Sequence, residues 1–356
     1  MSKKIAVVLF NLGGPDSKES IEPFLMNFFM DKNIITASLP VRYVLAKMIS
    51  KKRSKREAGE SYAELGDKSP LLENTQEQAD ALESVLNQSS DGNIYKTFVT
   101  MRYWHPMAPE VIKDVQEWDA QKVILLPLYP QFSTTTSWSS LEVWKKTLAK
   151  QNYNPEMSMV CCYPDNDGFI SVSADNILKS YVQALKDGHE NPRVLFSAHG
   201  LPEKIVKSGD PYQYQCEKTA KTIAMRLSEK LGIDNLDWQI CYQSRVGRLK
   251  WIGPSLDEAL DSAQSDKKAV VIYPHAFTQE HVETLVELDI EYKEMAEEKN
   301  IPGYYRARTV GVQDGFINGL SDLVKSHLDK TEIAAEGGQC ICPDNFGRCC
   351  MRVGAL

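Results

Sequence analysis

Three stretches of this chain carry residue types that can do chemistry. In Ser197-Ala198-His199-Gly200-Leu201-Pro202 an apolar run delivers a histidine to its end, and glycine and proline turn the chain straight afterwards. An imidazole with an ordinary pKa near ~6.5 accepts a proton at neutral pH, although a histidine in such a place can equally be structural. In the second stretch Glu280, Glu283, Glu287, Glu291 and Glu294 follow one another at intervals of three or four, the spacing of one helix face. That column is either a solvated acidic face or, beginning beside His281, a row of hard oxygen ligands able to pass protons or divalent cations. The third stretch is the tail, where Cys340, Cys342, Cys349 and Cys350 crowd together after the last amphipathic segment. Its spacing leaves open a disulfide, tetrahedral zinc and a [2Fe-2S] cluster.

Such residues need strand ends to display them. Apolar, β-branched runs at 5–10, 95–100, 123–126, 157–162, 194–197, 238–241 and 270–273 alternate with helix-length amphipathic segments. The alternation predicts an α/β fold of mostly parallel sheet flanked by helices, with functional residues outside the carboxyl edges of the strands. An internal echo, Val7-Val8-Leu9-Phe10-Asn11-Leu12-Gly13 against Val194-Leu195-Phe196-Ser197-Ala198-His199-Gly200, divides the chain into two similar lobes with a cleft between them. The expected boundaries are an N-terminal lobe over 1–165, a C-terminal lobe over 166–330 and a Cys-rich tail over 331–356.

Composition narrows the functional classes. A formal charge of -7 and a pI near 5.5 speak against a nucleic-acid binder, whose affinity comes mainly from a basic surface. Gly13-Gly14-Pro15 lacks the spacing of a dinucleotide loop, and no Walker-type phosphate loop occurs. No apolar run is long enough to span a bilayer, the opening run 5–10 reads as a strand and not as an address, and the cysteine pattern fits a reducing, cytoplasmic setting. A lip over about 24–56 joins the apolar Phe24-Leu25-Met26-Asn27-Phe28-Phe29-Met30 to Lys47, Lys51, Lys52, Arg53, Lys55 and Arg56, a pairing that suits peripheral contact with an anionic membrane. The same segment also fits a buried helix face beside a solvated loop.

Several long motifs in one order carry a family resemblance. They are Asn11-Leu12-Gly13-Gly14-Pro15, Ser69-Pro70, Arg102-Tyr103 with His105-Pro106, Tyr129-Pro130-Gln131, Leu195 through His199 to Gly209-Asp210-Pro211-Tyr212, Tyr242-Gln243-Ser244-Arg245-Val246-Gly247, Trp251 with Gly253-Pro254, and His281-Val282-Glu283-Thr284-Leu285 with Glu287-Leu288-Asp289. With these the chain resembles ferrochelatase over about 4–328. The resemblance implies insertion of ferrous iron into protoporphyrin IX with release of two protons. It makes His199 the proton acceptor and Glu283 its acidic partner, with His281, Glu287 and Glu291 along the route of protons or iron. It implies porphyrin contacts at Leu12, Arg102, Tyr103 and Trp251, with Arg53, Tyr62 and Ser69 on the propionate side. For the tail it favours a [2Fe-2S] cluster on Cys340, Cys342, Cys349 and Cys350, with zinc as the alternative. Thr134 stands where animal members have a ligating cysteine, so Cys161 or Cys162 is the possible internal substitute. Two other readings remain: a chelatase inserting cobalt or nickel into a related tetrapyrrole, and a non-catalytic tetrapyrrole-binding iron-sulfur sensor. Oligomeric state is open, a homodimer being one outcome.

Overall fold

The computed structural model describes residues 2–245, 249–354 and 356, so the Val246-Gly247 end of one motif lies outside the described residues. In chain order the strands are β1 (Lys4–Asn11), β2 (Ile94–Met101), β3 (Lys122–Pro127), β4 (Glu156–Val160), β5 (Arg193–His199), β6 (Trp238–Gln243), β7 (Val270–Pro274), β8 (Tyr304–Arg306) and β9 (Ile333–Ala334). They form two all-parallel sheets, ordered β2-β1-β3-β4-β9 and β6-β5-β7-β8. Because helices flank a parallel sheet on both faces, its strands read as continuous apolar runs and not as alternating ones. Ile5 to Phe10 and Val194 to Ala198 are accordingly buried throughout.

The chain forms two compact units. The first takes residues 1–162, 320–340 and 350–356, and the second takes 163–319 and 341–349. Thus β9, from near the C-terminus, closes the edge of the first sheet through Met159 opposite Ile333 and Val160 opposite Ala334. In the second unit Leu195, Cys241, Ile272, Leu288 and Tyr292 pack together, which seats the acidic helix segment on the sheet.

The sequence echo falls on equivalent positions: β1 lies between β2 and β3 in its sheet, and β5 between β6 and β7 in its own. The chain goes from β5 to one neighbour and then crosses to the other side. The carboxyl end of β5 is therefore a topological switch point, where adjacent crossovers leave in opposite directions and open a crevice. His199 is the last residue of β5.

In the lip segment the two open readings separate by helix. In helix Ile21–Phe29 the side chains of Phe24, Leu25 and Phe29 are buried, and the Phe28 ring packs edge-on against Tyr103 and Phe29 at 5.0 and 5.2 Å. The apolar surface that meets water lies instead on helix Leu39–Ser54, where Leu39, Val41, Tyr43, Val44 and Met48 are all exposed.

Candidate functional site

The second unit gathers several titratable residues around the end of β5. His199 Nδ1 stands 2.9 Å from Glu283 Oε2, and the Tyr212 hydroxyl donates to the His199 carbonyl at 3.1 Å. A carboxylate at Nδ1 favours a proton on that nitrogen, which selects the tautomer with a basic Nε2. His281 Nε2 lies 4.0 Å from the same Glu283 oxygen. Burial lowers the pKa of His281, against the pull of Glu283 and Glu280, so the ring stays neutral more readily than an exposed one.

Glu287 is fixed by three donors: Ser244 N at 2.8 Å, Ser244 Oγ at 2.6 Å and Gln243 Nε2 at 3.1 Å. Gln243 Nε2 also donates to the Glu283 carbonyl at 2.9 Å, while its Oε1 accepts from Ser197 Oγ at 2.7 Å. The serine thereby orients the amide so that its nitrogen faces the acidic segment. Burial, then the nearby Glu283 carboxylate, pushes the Glu287 pKa up to about 7, in spite of the Ser244 and Gln243 bonds that lower it.

That shift has a consequence for stability. The native state keeps a proton on Glu287 between the usual 4.5 and about 7, whereas the unfolded chain has already lost it. Native protons outnumber unfolded ones in that window, so this group's contribution to stability falls as pH rises through it. Glu287→Gln removes the loss. Its unfolding free energy relative to wild type, read by denaturant titration, is expected to rise from pH 5 to pH 8 by at most about 3 kcal/mol. A difference that does not change with pH would contradict the raised pKa.

The acidic column is shorter and more twisted than its spacing suggested. Glu280 precedes the helix and is held by Arg306 Nη1 at 2.6 Å and Thr309 N at 2.9 Å. The helix runs α over Val282–Leu285, π over Glu287–Glu291, then α again over Tyr292–Glu298. Glu291 N bonds the Val286 carbonyl at 3.0 Å, a five-residue step that the three-and-four pattern cannot anticipate. Glu283 and Glu287 remain half-buried, and Glu291 is exposed.

The family model and the curated relatives agree on one family. A family model described as Ferrochelatase matches residues 4–328. The Ferrochelatase of Pelagibacter ubique is 46% identical over 347 residues, covering 97% of this chain and 98% of its own. That of Caulobacter vibrioides is 46% identical over 358 residues, covering 100% and 99%. The chain belongs to the ferrochelatase family. It is a metal chelatase by descent. A solved structure of SirB from Bacillus subtilis with Fe3+ matches in fold, with a TM-score of 0.50 at 13% identity over 92% of this chain and 96% of that one.

Within this ferrochelatase-family chain the other expected contacts divide. Trp251 is half-buried and bridges to Pro202, and a side chain on Gly200 would meet the Trp251 ring at 3.4 Å, just past His199. In the first unit Leu12 is half-buried, while Tyr62 and Ser69 are buried. Ser69 fits only because Gly14 has no Cβ, which would lie 2.4 Å from the Ser69 Cβ. Arg53 sits half-buried near the end of helix Leu39–Ser54. Arg102, half-buried at the edge of a cavity with Asn27, Met30 and Asp31, and Tyr103 share one acidic partner. Arg102 pairs with Asp31 at 2.9 Å and Ser139 at 2.7 Å, and Tyr103, fully buried, donates to Asp31 at 2.7 Å.

In the tail the thiols of Cys340, Cys342 and Cys349 lie within 4.8 Å of one another. Cys350 opens helix Cys350–Val353 and is buried outside that group, as are Cys161 and Cys162 at the end of β4. Three convergent thiols suit a thiolate-bound metal. A single zinc needs such a close set, whereas a [2Fe-2S] cluster spreads four ligands over two irons.

In the sequence Gln243, Ser244 and Tyr212 stand out only as motif residues. Gln243 ends β6, Ser244 follows it and Tyr212 opens helix Tyr212–Leu231, and from there they hold Glu287 and the His199 carbonyl.

Proposed function

We propose that this chain inserts ferrous iron into protoporphyrin IX, forming protohaem and releasing two protons. The hydrogen bond from His199 to Glu283 at the switch point carries the reading. A free-base porphyrin closes to metal until its two pyrrole N–H groups give up their protons. His199 Nε2 takes a pyrrole proton while Glu283 balances the imidazolium at Nδ1; iron forms four Fe–N bonds, two to nitrogens whose N–H bonds break and two to imine-type nitrogens that carry no proton. Glu287 and then the exposed Glu291 extend the carboxylate row from Glu283 outward and pass protons or incoming iron, with His281 beside them. Leu12, Arg53, Tyr62, Ser69, Arg102, Tyr103 and Trp251 contact the porphyrin on this reading, Arg102 and Tyr103 being held by Asp31. Anaerobic protein given ferrous iron and protoporphyrin should convert the Soret band to that of haem. Insertion of cobalt or nickel but not iron would support the other chelatase reading, and binding without any insertion would support a sensor.

The tail holds a [2Fe-2S] cluster on Cys340, Cys342, Cys349 and Cys350 in this proposal, with zinc the competing occupant. Thiolate ligands suit both, and the cluster's chemistry is one-electron transfer that porphyrin metallation does not use. Cys349→Ser should abolish visible colour in anaerobically purified protein and remove about two irons and two sulfides per chain. Colourless wild-type protein with one zinc would contradict the cluster.

No helix among the described residues is long and apolar enough to cross a membrane. The exposed apolar residues of helix Leu39–Ser54, above all Val44 and Met48, together with Lys47, Lys51 and Lys52, make a peripheral contact with an anionic bilayer on this proposal. Val44→Asp with Met48→Asp should weaken sedimentation with phosphatidylserine vesicles by more than about 10-fold, since burying two such side chains is worth ~1.5–3 kcal/mol each. Unchanged sedimentation would leave that face to another use, such as a homodimer contact.

A further inference from the structure

Segment 341–349 belongs to the second unit and is laid along the turn that starts helix Tyr212–Leu231. Arg348 N donates to the Gly209 carbonyl at 3.2 Å, Arg348 Nη1 donates to Ser208 Oγ at 3.0 Å, and the rings of Phe346 and Tyr214 meet in a tilted pair with centroids 5.3 Å apart. Gly209 has φ +99, and a Cβ there would stand 3.1 Å from Gly347 N, so the two backbones can meet only at a glycine. At the centre of this contact Gln215, with 0% exposure, points its Nε2 at Cys342 Sγ at 3.2 Å.

A buried amide aimed at sulfur is informative because Cys342 belongs to the convergent thiol group. Metal-bound sulfur carries negative charge, and the neighbouring thiolates add to it. An N–H donor offsets that charge and fixes the direction of the sulfur lone pairs, which is how outer partners hold metal ligands in place. The ordinary alternative is a core glutamine satisfying its own polar atoms. That role would be indifferent to the metal.

We infer that Gln215 is a positioning residue for the tail metal site, holding Cys342 through its amide N–H. This rests on the reading of the tail as a metal site, but not on which metal it holds. Gln215→Met keeps length and helix propensity and deletes the donor, and Gln215→Glu replaces the donor with an acceptor and a charge. Gln213→Met, on the same turn, is the control.

The purified, metal-loaded full chain is challenged with excess chelator, and release of iron or zinc is followed over time. Gln215→Met is expected to release metal about 10-fold faster or more, Gln215→Glu faster still, and Gln213→Met at the wild-type rate. With a [2Fe-2S] cluster, Gln215→Met should also shift the visible bands and lower the reduction potential, since hydrogen bonds to cluster sulfur raise it. Melting of the metal-free forms separates this from loss of fold, because a merely structural glutamine would lower that melting point and leave release from the folded protein unchanged. Wild-type release kinetics and spectra in both Gln215 variants would overturn the inference while the metal reading stands. Wild-type protein isolated with neither iron nor zinc would overturn both.

Discussion

His199→Ala is expected to lower iron insertion by at least ~100-fold while porphyrin binding, read by fluorescence quenching, changes little. Positioned general bases contribute on that scale, and the substitution removes the base without touching aromatic or apolar contacts. The effect should fall on turnover and not on the porphyrin KM. It should not be recovered by raising pH, because Glu283 is left without the imidazole that couples it to the pyrrole proton. Retention of a tenth of wild-type turnover would move the base elsewhere, with His281 the nearest candidate at 4.0 Å from the same carboxylate oxygen.

Asp31→Ala is expected to destabilise the first unit by ~3–5 kcal/mol. The Asp31 side chain is 2% exposed and Arg102 only 16%, so removing the carboxylate leaves a largely desolvated guanidinium unpaired and takes the acceptor away from Tyr103 and Ser139. Burial alone would raise the Asp31 pKa, but Arg102, the Ser139 and Tyr103 hydroxyls and the Asn33 amide together hold it below its usual 3.8. A carboxylate with a depressed native pKa adds stability that is complete above the unfolded value and is lost as pH falls through the native one. Wild type should therefore lose its margin over Asp31→Asn only at pH below about 4. Denaturant titrations of the two variants check both statements. A cost under about 1 kcal/mol for Asp31→Ala would contradict the weight given to this buried pairing.

Legibility in the sequence followed burial and length. Strands β1 to β7 were readable because strands covered on both faces form unbroken apolar runs, and each read within a few residues of its observed bounds. Strands β8 and β9, three and two residues long, carry too little pattern to be seen and are held by their neighbours alone. His199 was visible as a histidine between a buried run and a glycine turn. The acidic segment was visible as a column, but its π turn depends on how Leu288 and Tyr292 seat against the sheet, and Glu280 was drawn off by Arg306 from far along the chain. Within the lip, aromatic density alone does not say which way a helix faces, so the sequence left a buried face and an exposed one open. Phe24, Leu25 and Phe29 share the buried face, and the water-facing apolar residues lie among the lysines of the next helix. Arg102 and Tyr103 were legible as a motif, but their common partner Asp31, 71 residues from Arg102, was not.

The central claim is that His199, set by Glu283, removes the pyrrole protons as iron enters. Single-turnover stopped flow, with Soret absorbance and a pH indicator recorded together, tests it directly. Wild type should release about two protons per haem formed, in step with the absorbance change, and His199→Ala should lose both signals together. Proton release that persists in His199→Ala with unchanged amplitude and rate would contradict the account.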